Sequence, residues 1–597
     1  MALPNPPTPL VKPQERLVVQ EIEPPPVRTR NLRALWLIAR WWLSNQWLRL
    51  TGQMTDAQYA RRMRELFESL GGLWLYIGQM LALRVDVLSR AVAHELADLE
   101  VKRRGFAFAQ VRRIVEEDMG QPLDQVFESF TEKPFSAEIA GQIHGAKLRR
   151  EGINVAVKVQ RPHIAKVYQL DLALIHFLVR TAHRFGLWPH LRLEEMAWEL
   201  EQVVREQLDY RFEASQARML KKVLKSHGVF VPKVYRVYCT HRVMVQQFFR
   251  ASLMADYVRK RRAEPETARL WLLENGIDRK KLGRRLLDSL MRQIFEENQY
   301  HGDLSPAHIV LFRDGVFGFV DFGSCTFTEV EYLNRFRLFV RSLATRDYAK
   351  AADLCFLLCA YLPPIDMEAV KDEVIQCLRA WAVRTSVPEL PYEEKSLHNA
   401  TVEVVRVLWR HRCAMSWTFM RIRQAITTLD ESLAHLLPEI DYTRYLQRYF
   451  RKADERSLRS FVKRNPIAQA LNAAATTIQI QERISEYTMF QGSLVRRHAQ
   501  VFQGRTNKVA YVMATLAGQL ATFCFVLGAA GTVAYLGQHR PEWLVAHANT
   551  DALALAKLVP RLDRGTWMLA LCLDAYLMYG FFKLRSRLGQ AEVRADE

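Results

Sequence analysis

Two carboxylates, Asp303 and Asp321, are the residues whose type and spacing best suit chemistry. Asp303 stands in His301-Gly302-Asp303, next to the turn formers Ser305 and Pro306, and Asp321 opens Asp321-Phe322-Gly323. Between them lie two apolar runs, Ile309 to Phe312 and Val316 to Val320, separated by Arg313-Asp314-Gly315. Short apolar runs around turn residues predict a β-hairpin. A hairpin with an acid at each end can turn both carboxylates toward one cleft. Phosphoryl transfer uses such a pair: one acid orients or deprotonates the attacking hydroxyl or water, and the other holds the metal that bridges the phosphates. The plainer alternative is a loop with two structural aspartates.

Lys158 is the third candidate. It lies in Asn154-Val-Ala-Val-Lys-Val-Gln160, a predicted strand. Burying a lysine among valines is expensive unless it is paired. Glu213 is its candidate partner, on a helix predicted over 193–222 that also carries Glu206 and Asp209. Asp209 and Glu213 are four apart and are expected on one face. In protein kinases a strand lysine holds the α/β-phosphates and pairs with a helical glutamate; H-x-D, an asparagine five residues later and D-F-G follow. Here the fifth residue after Asp303 is His308.

The elements that must position these groups are mostly helical. Strands are predicted over 139–148, 154–160, 229–238 and 242–248. Helices are predicted over 108–133, 164–184, 193–222 and 256–297, with two more around Gly71-Gly72 and nearly continuous helix over 329–500. Residues 1–28 are Pro-rich and read as a disordered tail. Residues 29–50 interleave Arg30, Arg33, Arg40 and Arg49 with Trp36, Trp41, Trp42 and Trp47. Such a helix suits an anionic membrane surface, and equally a seat on the protein itself.

Length and composition set the bounds. The chain has 597 residues, 49% hydrophobic and 25% charged, with net charge +20 and pI ≈ 9.6. That charge asks for an anionic partner, nucleic acid or lipid. No nucleic-acid recognition motif is present and the basic residues are spread, so nucleic acid is not expected. Eight cysteines without metal or disulfide spacing indicate a reducing compartment. Residues 509–538 carry no charge, and Gly565 to Phe582 is a second apolar run interrupted by Asp574. Both are long enough to cross a bilayer. Asp574 is expected to pair inside the hairpin, with Gln519 as candidate. Basic residues at the outer ends put both ends in the cytoplasm.

With these residues in place the chain resembles the UbiB family (also called ADCK or AarF) of atypical, protein-kinase-like proteins. The matching phrases are Gly78-Gln79, Gly141-Gln142-Ile143-His144, Val155-Ala-Val-Lys-Val-Gln-Arg-Pro162, Leu208-Asp-Tyr-Arg-Phe-Glu-Ala214, Val231-Pro-Lys-Val-Tyr235, His301-Gly-Asp303 and Asp321-Phe-Gly323. The resemblance runs from about Leu66 to Phe327. It implies an α+β, two-lobed kinase-like fold with a helical N-terminal extension over the site, a helical C-terminal region and a transmembrane helix pair. It implies ATP with Mg²⁺ or Mn²⁺, slow ATP hydrolysis, and support of ubiquinone biosynthesis at membranes. Lys158 would contact the α/β-phosphates, Glu213 would hold Lys158, Asp303 would position the nucleophile, and Asp321 and His308 would bind the metal. Ala137, Ala140 and Gln142 would line the nucleotide.

Five positions depart from the family pattern. Tyr76 replaces the lysine of K-x-G-Q, Gln207 replaces the glutamate of E-x-D, Glu138 enters the alanine-rich loop, Gln247 replaces a hinge-like glutamate, and His308 replaces the metal-binding asparagine. Loss of the first two together removes a charge pair without stranding either partner. Glu138 would repel phosphate, and imidazole suits softer ions than Mg²⁺. The expected organisation is a tail (1–28), a basic N-terminal extension (29–133), an N-lobe (134–250), a C-lobe with helical extension (251–500) and a membrane anchor (501–597). The expected function is a multi-pass inner-membrane kinase or ATPase facing the cytoplasm, with membrane lipid, quinone-pathway enzymes or an isoprenoid lipid as partners. The alternatives are a pseudokinase scaffold and a lipid-handling protein with a vestigial cleft.

Overall fold

The computed structural model describes residues 7, 8, 10, 20–21, 29–51, 54–82, 90–97, 99, 104–184, 193–363, 366–462, 505–539 and 563–594. Contacts divide the chain into two compact units, residues 1–177 with 194–465, and 178–193 with 466–597.

The first unit is a helix-dominated α+β domain. Helices α1 (Arg30–Leu50), α2 (Asp56–Leu70), α3 (Leu73–Ala82) and α4 (Arg90–Ala97) lie between β1 (Gln20–Glu21) and its parallel partner β2 (Arg104–Gly105). Within the Pro-rich segment read as a tail, Leu10 is buried in the main core and the Thr8 carbonyl accepts a hydrogen bond from the Arg313 amide.

Helices α5 (Phe108–Met119) and α6 (Leu123–Val126) precede a five-stranded antiparallel sheet of β3 (Phe127–Phe130), β4 (Ser136–Ala137), β5 (Gly141–Leu148), β6 (Asn154–Gln160) and β7 (Val243–Gln247). The helix predicted over 108–133 is therefore shorter than expected: Gly120 takes a left-handed φ of 65°, which ends α5, and 127–130 pairs with β5. β6 is central, and the two-residue period sorts its side chains. Val155, Val157 and Val159 pack with Val111, Ile114 and Val115 of α5. Ala156, Lys158 and Gln160 face the other way, where the Gln160 amide donates to the Leu208 carbonyl.

α7 (Ile164–Arg184) is followed by α8 (Leu193–Gln207) and α9 (Tyr210–Lys225). The single helix expected over 193–222 breaks at Asp209, whose side chain accepts from the Arg211 amide and caps α9. Asp209 thus stands outside the helix, and it does not share a face with Glu213. The strand expected over 229–238 does not form: the segment makes isolated bridges, Phe230 to Gly318 and Val234 to Gln246, and ends in a 3₁₀ turn, Arg236–Tyr238. The helix expected over 256–297 is three, α10 (Met254–Ala263), α11 (Pro265–Glu274) and α12 (Arg279–Phe295), after the short β8 (Ser252–Leu253). Pro265 starts the second, and Gly276, at φ 67°, separates the last two.

β9 (Tyr300–His301) leads to the expected hairpin, β10 (Ile309–Leu311) and β11 (Phe317–Phe319), and then to β12 (Cys325–Thr326), which pairs back with β9. Gly318 lets the backbone at Phe230 cross the hairpin: a Cβ there would meet the Phe230 carbonyl at 2.5 Å. The remaining helices are α13 (Val330–Ala344), α14 (Tyr348–Leu357), α15 (Met367–Thr385), α16 (Tyr392–Lys395), α17 (Leu397–Arg410), α18 (Trp417–Leu436) and α19 (Tyr442–Val462), with a small ladder of β13 (Cys359–Tyr361) and β14 (Ala414–Met415). The predicted helix over 463–500 lies outside the described residues.

The second unit contains α20 (Arg505–His539) and α21 (Arg564–Arg594), packed on each other. Thr515–His539 and Arg564–Arg585 are long and apolar enough to cross a membrane. Small residues of α20 face α21: Gly528 lies against Asp574, and Gly531 against Leu571 and Trp567. Asp574 therefore packs against Gly528 and beside Cys524 rather than Gln519.

Candidate functional site

The site is assembled from β6, the β4–β5 turn, α9 and the two ends of the β10–β11 hairpin. Lys158 Nζ is buried and sits 3.1 and 2.9 Å from the two carboxylate oxygens of Glu213. The break at Asp209 makes this possible, because α9 starts afresh and turns Glu213 onto the sheet. Glu138 Oε2 approaches the same ammonium at 2.8 Å and Asp321 Oδ1 at 3.8 Å, while the Tyr210 ring lies 5.1 Å below it. Burial alone would lower the Lys158 pKa, but Glu138, Glu213 and Asp321 raise it well above the ordinary value. Burial pushes the Glu213 carboxyl up to about 7 against the pull of Lys158.

The hairpin brings the second group of residues to the same place. His301 is fully buried and burial holds its pKa near 4, so the ring is neutral. Its Nε2 donates to the Val320 carbonyl (3.1 Å) and its Nδ1 accepts from the Asp303 amide (3.2 Å), which locks the loop to the end of β11. The Leu304 amide donates to Thr428 Oγ1 on α18 at 2.9 Å. Asp321 adopts φ 60°, a left-handed conformation that a non-glycine residue holds only under constraint. His308 lies between the two acids, with Nδ1 3.3 Å from Asp303 Oδ2 and Nε2 3.4 Å from Asp321 Oδ2. Burial opposes its charge, yet Asp303 and Asp321 lift the His308 pKa to about 10. Asp303 is in turn held well below the usual carboxylate range by His308, in spite of burial.

Lys158, Glu213, Asp303, Asp321 and His308 thus converge. Ala137 and Ala140 flank the tight turn that carries Glu138, and Arg161 grips that turn through the carbonyls of Ile139 (3.2 Å) and Glu138 (3.3 Å). Gln142 is not brought to the cleft. It pairs with Val159 across the sheet, so it points to the α5 face, where its amide holds both backbone groups of Phe106. Gln247 uses its side-chain oxygen on the Lys233 amide. Tyr76, from α3, sets its hydroxyl 3.5 Å from Gln207 Oε1, and Gln207 packs on Gly323, where a Cβ would lie 2.8 Å from its amide nitrogen. A neutral contact therefore stands where the family pattern has a charge pair. Thr428 and Arg161 belong to the site through contacts that only the folded chain makes. Thr428 lies 124 residues from the loop it anchors, and nothing local marks it.

The chemistry of this donor set is specific. A buried, permanently charged ammonium fits a polyphosphate, although Glu138 now occupies one side of it. The donor set does not fit a divalent ion as it stands. Both ring nitrogens of His308 face carboxylates, the ring is cationic, and an imidazolium has no lone pair for a metal. Among the described residues no three His, Cys, Asp or Glu side chains form a group that could hold one.

Comparison with known proteins agrees with this frame. The ABC1 atypical kinase-like domain family matches residues 99–355. Curated relatives described as probable protein kinase UbiB include that of Providencia stuartii, 29% identical over 317 residues, 51% of this chain and 55% of that protein. Others are from Aeromonas salmonicida (25% identical, 66% of this chain and 70% of that protein) and Azotobacter vinelandii (26%, 69% and 76%). Residues 99–355 thus match an ABC1 atypical kinase-like domain, and the chain is similar to the UbiB proteins. Against the first relative it spans about half of that protein's length. A solved structure of Mycobacterium tuberculosis Rv3197 with erythromycin aligns over 62% of this chain and 93% of that one, at 20% identity and TM-score 0.40. The ABC1 match covers the five-stranded sheet, the hairpin, and Lys158, Glu213, Asp303, His308 and Asp321, and it ends within α14.

Proposed function

We propose that this UbiB-like chain is a membrane-anchored nucleotide-binding protein of the atypical kinase or ATPase type, serving ubiquinone biosynthesis or related membrane lipid metabolism. The observation that carries the reading is the Lys158–Glu213 pair, buried in one cleft with Asp321 at 3.8 Å and the Asp303 loop beyond it. Lys158 would bind the α/β-phosphates, Glu213 would hold Lys158 in place, Asp303 would orient the attacking hydroxyl or water, and Asp321 would face the phosphates. A divalent ion, Mg²⁺ or Mn²⁺, would have to displace the His308 ring from Asp321. The names of the UbiB relatives support the quinone-pathway setting, and the two long apolar helices support an inner-membrane anchor with the kinase-like part on the cytoplasmic side.

A second reading, a pseudokinase scaffold, is favoured by two particular contacts. Glu138 lies on Lys158, and His308 bridges both aspartates. Purified full-length protein, assayed for nucleotide binding and γ-phosphate release with Mg²⁺, with Mn²⁺ and with EDTA, separates the two. Metal-dependent release lost in both Asp303→Asn and Asp321→Asn supports the enzyme. Nucleotide binding weakened at least tenfold by Lys158→Ala, with no release, supports the pseudokinase. Absence of binding sinks both.

A further inference from the structure

Helix α1 presents a continuous apolar stripe to the outside. Leu32, Trp36, Leu43, Trp47 and Leu50 are 73, 58, 59, 55 and 84% exposed. Their spacing of four, seven, four and three residues places them within about 60° of one another on a helix of 100° per residue. Trp42 and Leu35 widen the stripe on one edge. The opposite face is already committed to the protein. Trp41 Nε1 donates to the Arg62 carbonyl (3.1 Å), Arg62 donates to Asn45 Oδ1 (2.7 Å), and Arg30 pairs with the buried Asp171 at 2.7 Å. Asp171 also accepts from the Leu73 amide at 3.1 Å. The helix is therefore pinned with its stripe turned outward. Exposed tryptophans and leucines in one row are not a feature of an ordinary solvated surface.

Charge distinguishes the possible occupants. Residues 30–50 contain no Asp or Glu. Arg33 and Arg40 lie along one edge of the stripe and Arg49 along the other, all exposed, and the Arg40 guanidinium stacks 4.6 Å from the Trp36 ring. A protein groove would be expected to meet some acid–base complementarity within the stripe. An anionic bilayer needs only what is here: an apolar row to sink to the acyl boundary, tryptophans at the interface and arginines reaching the headgroups. We infer that α1 is a membrane-surface helix that lies in the plane of an anionic bilayer, as an attachment separate from the two long C-terminal helices. The inference goes beyond the proposed function and rests on α1 alone.

The test uses full-length protein in nanodiscs made with brominated lipids, either zwitterionic or containing about a third anionic lipid. Wild type is compared with Trp36→Phe/Trp42→Phe/Trp47→Phe, which keeps the stripe apolar but removes its indoles. The quenched fluorescence lost between the two is the signal from α1. We expect it to be at least twofold larger in anionic than in zwitterionic discs, and to fall to the zwitterionic level in Arg33→Gln/Arg40→Gln/Arg49→Gln. No quenching from the three tryptophans overturns the proposal, and so does quenching indifferent to lipid charge. Shielding of the same tryptophans in lipid-free protein that rises with protein concentration assigns the stripe to a second copy and also overturns it. Extraction by alkaline carbonate reads the C-terminal anchor independently, so failure of that anchor is distinguishable from failure of α1.

Discussion

At the scale of single residues, the cleft sets two cations, Lys158 and His308, against four carboxyl groups, Glu138, Glu213, Asp303 and Asp321. Glu138 is the group that a phosphate would have to displace. Two like charges about 4 Å apart in a partly buried site repel by ~1–4 kcal/mol. Glu138→Gln is therefore expected to tighten ATP binding about tenfold, measured as Kd by calorimetry; unchanged or weaker binding would mean that Glu138 does not compete for Lys158. A second residue-scale prediction concerns His227, away from the cleft. Burial, with Arg292 and Arg456 nearby, pushes its pKa down to about 4, while Glu296 pulls the other way. Glu297 also faces it, 3.9 Å from Nε2, and Ser289 Oγ lies 3.2 Å from Nδ1. The folded state keeps this ring neutral, and the unfolded chain protonates it below about 6.5. Stability from this group is full above pH 6.5 and is lost as pH falls toward 4, by up to ~3 kcal/mol. His227→Gln should flatten the fall in Tm between pH 7 and pH 5; an unchanged fall would refute the assignment.

At the scale of elements, a buried ion pair fastens the N-terminal helices to α7. Arg30 and Asp171 bury a bidentate contact to which the Leu73 amide at the start of α3 is also tied. Removing one partner of such a pair costs ~3–5 kcal/mol. Arg30→Ala should lower Tm by several degrees and expose the α1–α2 connection to limited proteolysis, while Arg30→Lys should recover part of the loss. The β10–β11 hairpin makes a complementary case. Gly318→Ala would drive a methyl into the Phe230 carbonyl and is expected to destabilise by ~1–3 kcal/mol. Because Asp321 follows the end of β11 by two residues, the same change should weaken nucleotide binding in an equilibrium titration, whereas Gly315→Ala at the open end of the turn should leave binding alone.

At the scale of the whole molecule, the kinase-like unit closes before the C-terminal helices begin. A chain ending at residue 465 is expected to stay soluble, to keep a cooperative unfolding transition and to bind ATP within a few-fold of the full-length Kd. Loss of the transition would show that the second unit supports the first. The strongest local signals were those that depend on short range. Residues 309–320 announced a hairpin through apolar runs around Arg313-Asp314-Gly315, and 154–160 announced a strand through its valines. Residues 108–133 misled because their apolar spacing continues past Gly120, where only pairing with β5 turns 127–130 into a strand. Likewise 193–222 reads as one periodic helix until Asp209 is seen as a cap.

What the amino-acid order determined by itself was the resemblance to the UbiB family, the strand lysine, the two aspartates, the five departures around them and the two long apolar helices, since each is carried by residue identity or local period. Tertiary structure alone decided that Glu138 reaches Lys158, that His308 bridges Asp303 and Asp321, that Gln142 turns away to Phe106, and that Thr428 holds the Asp303 loop from α18. The reason is physical. These contacts join residues far apart in the chain, and their energies depend on burial and on a few ångströms of separation, neither of which is encoded in spacing along the sequence.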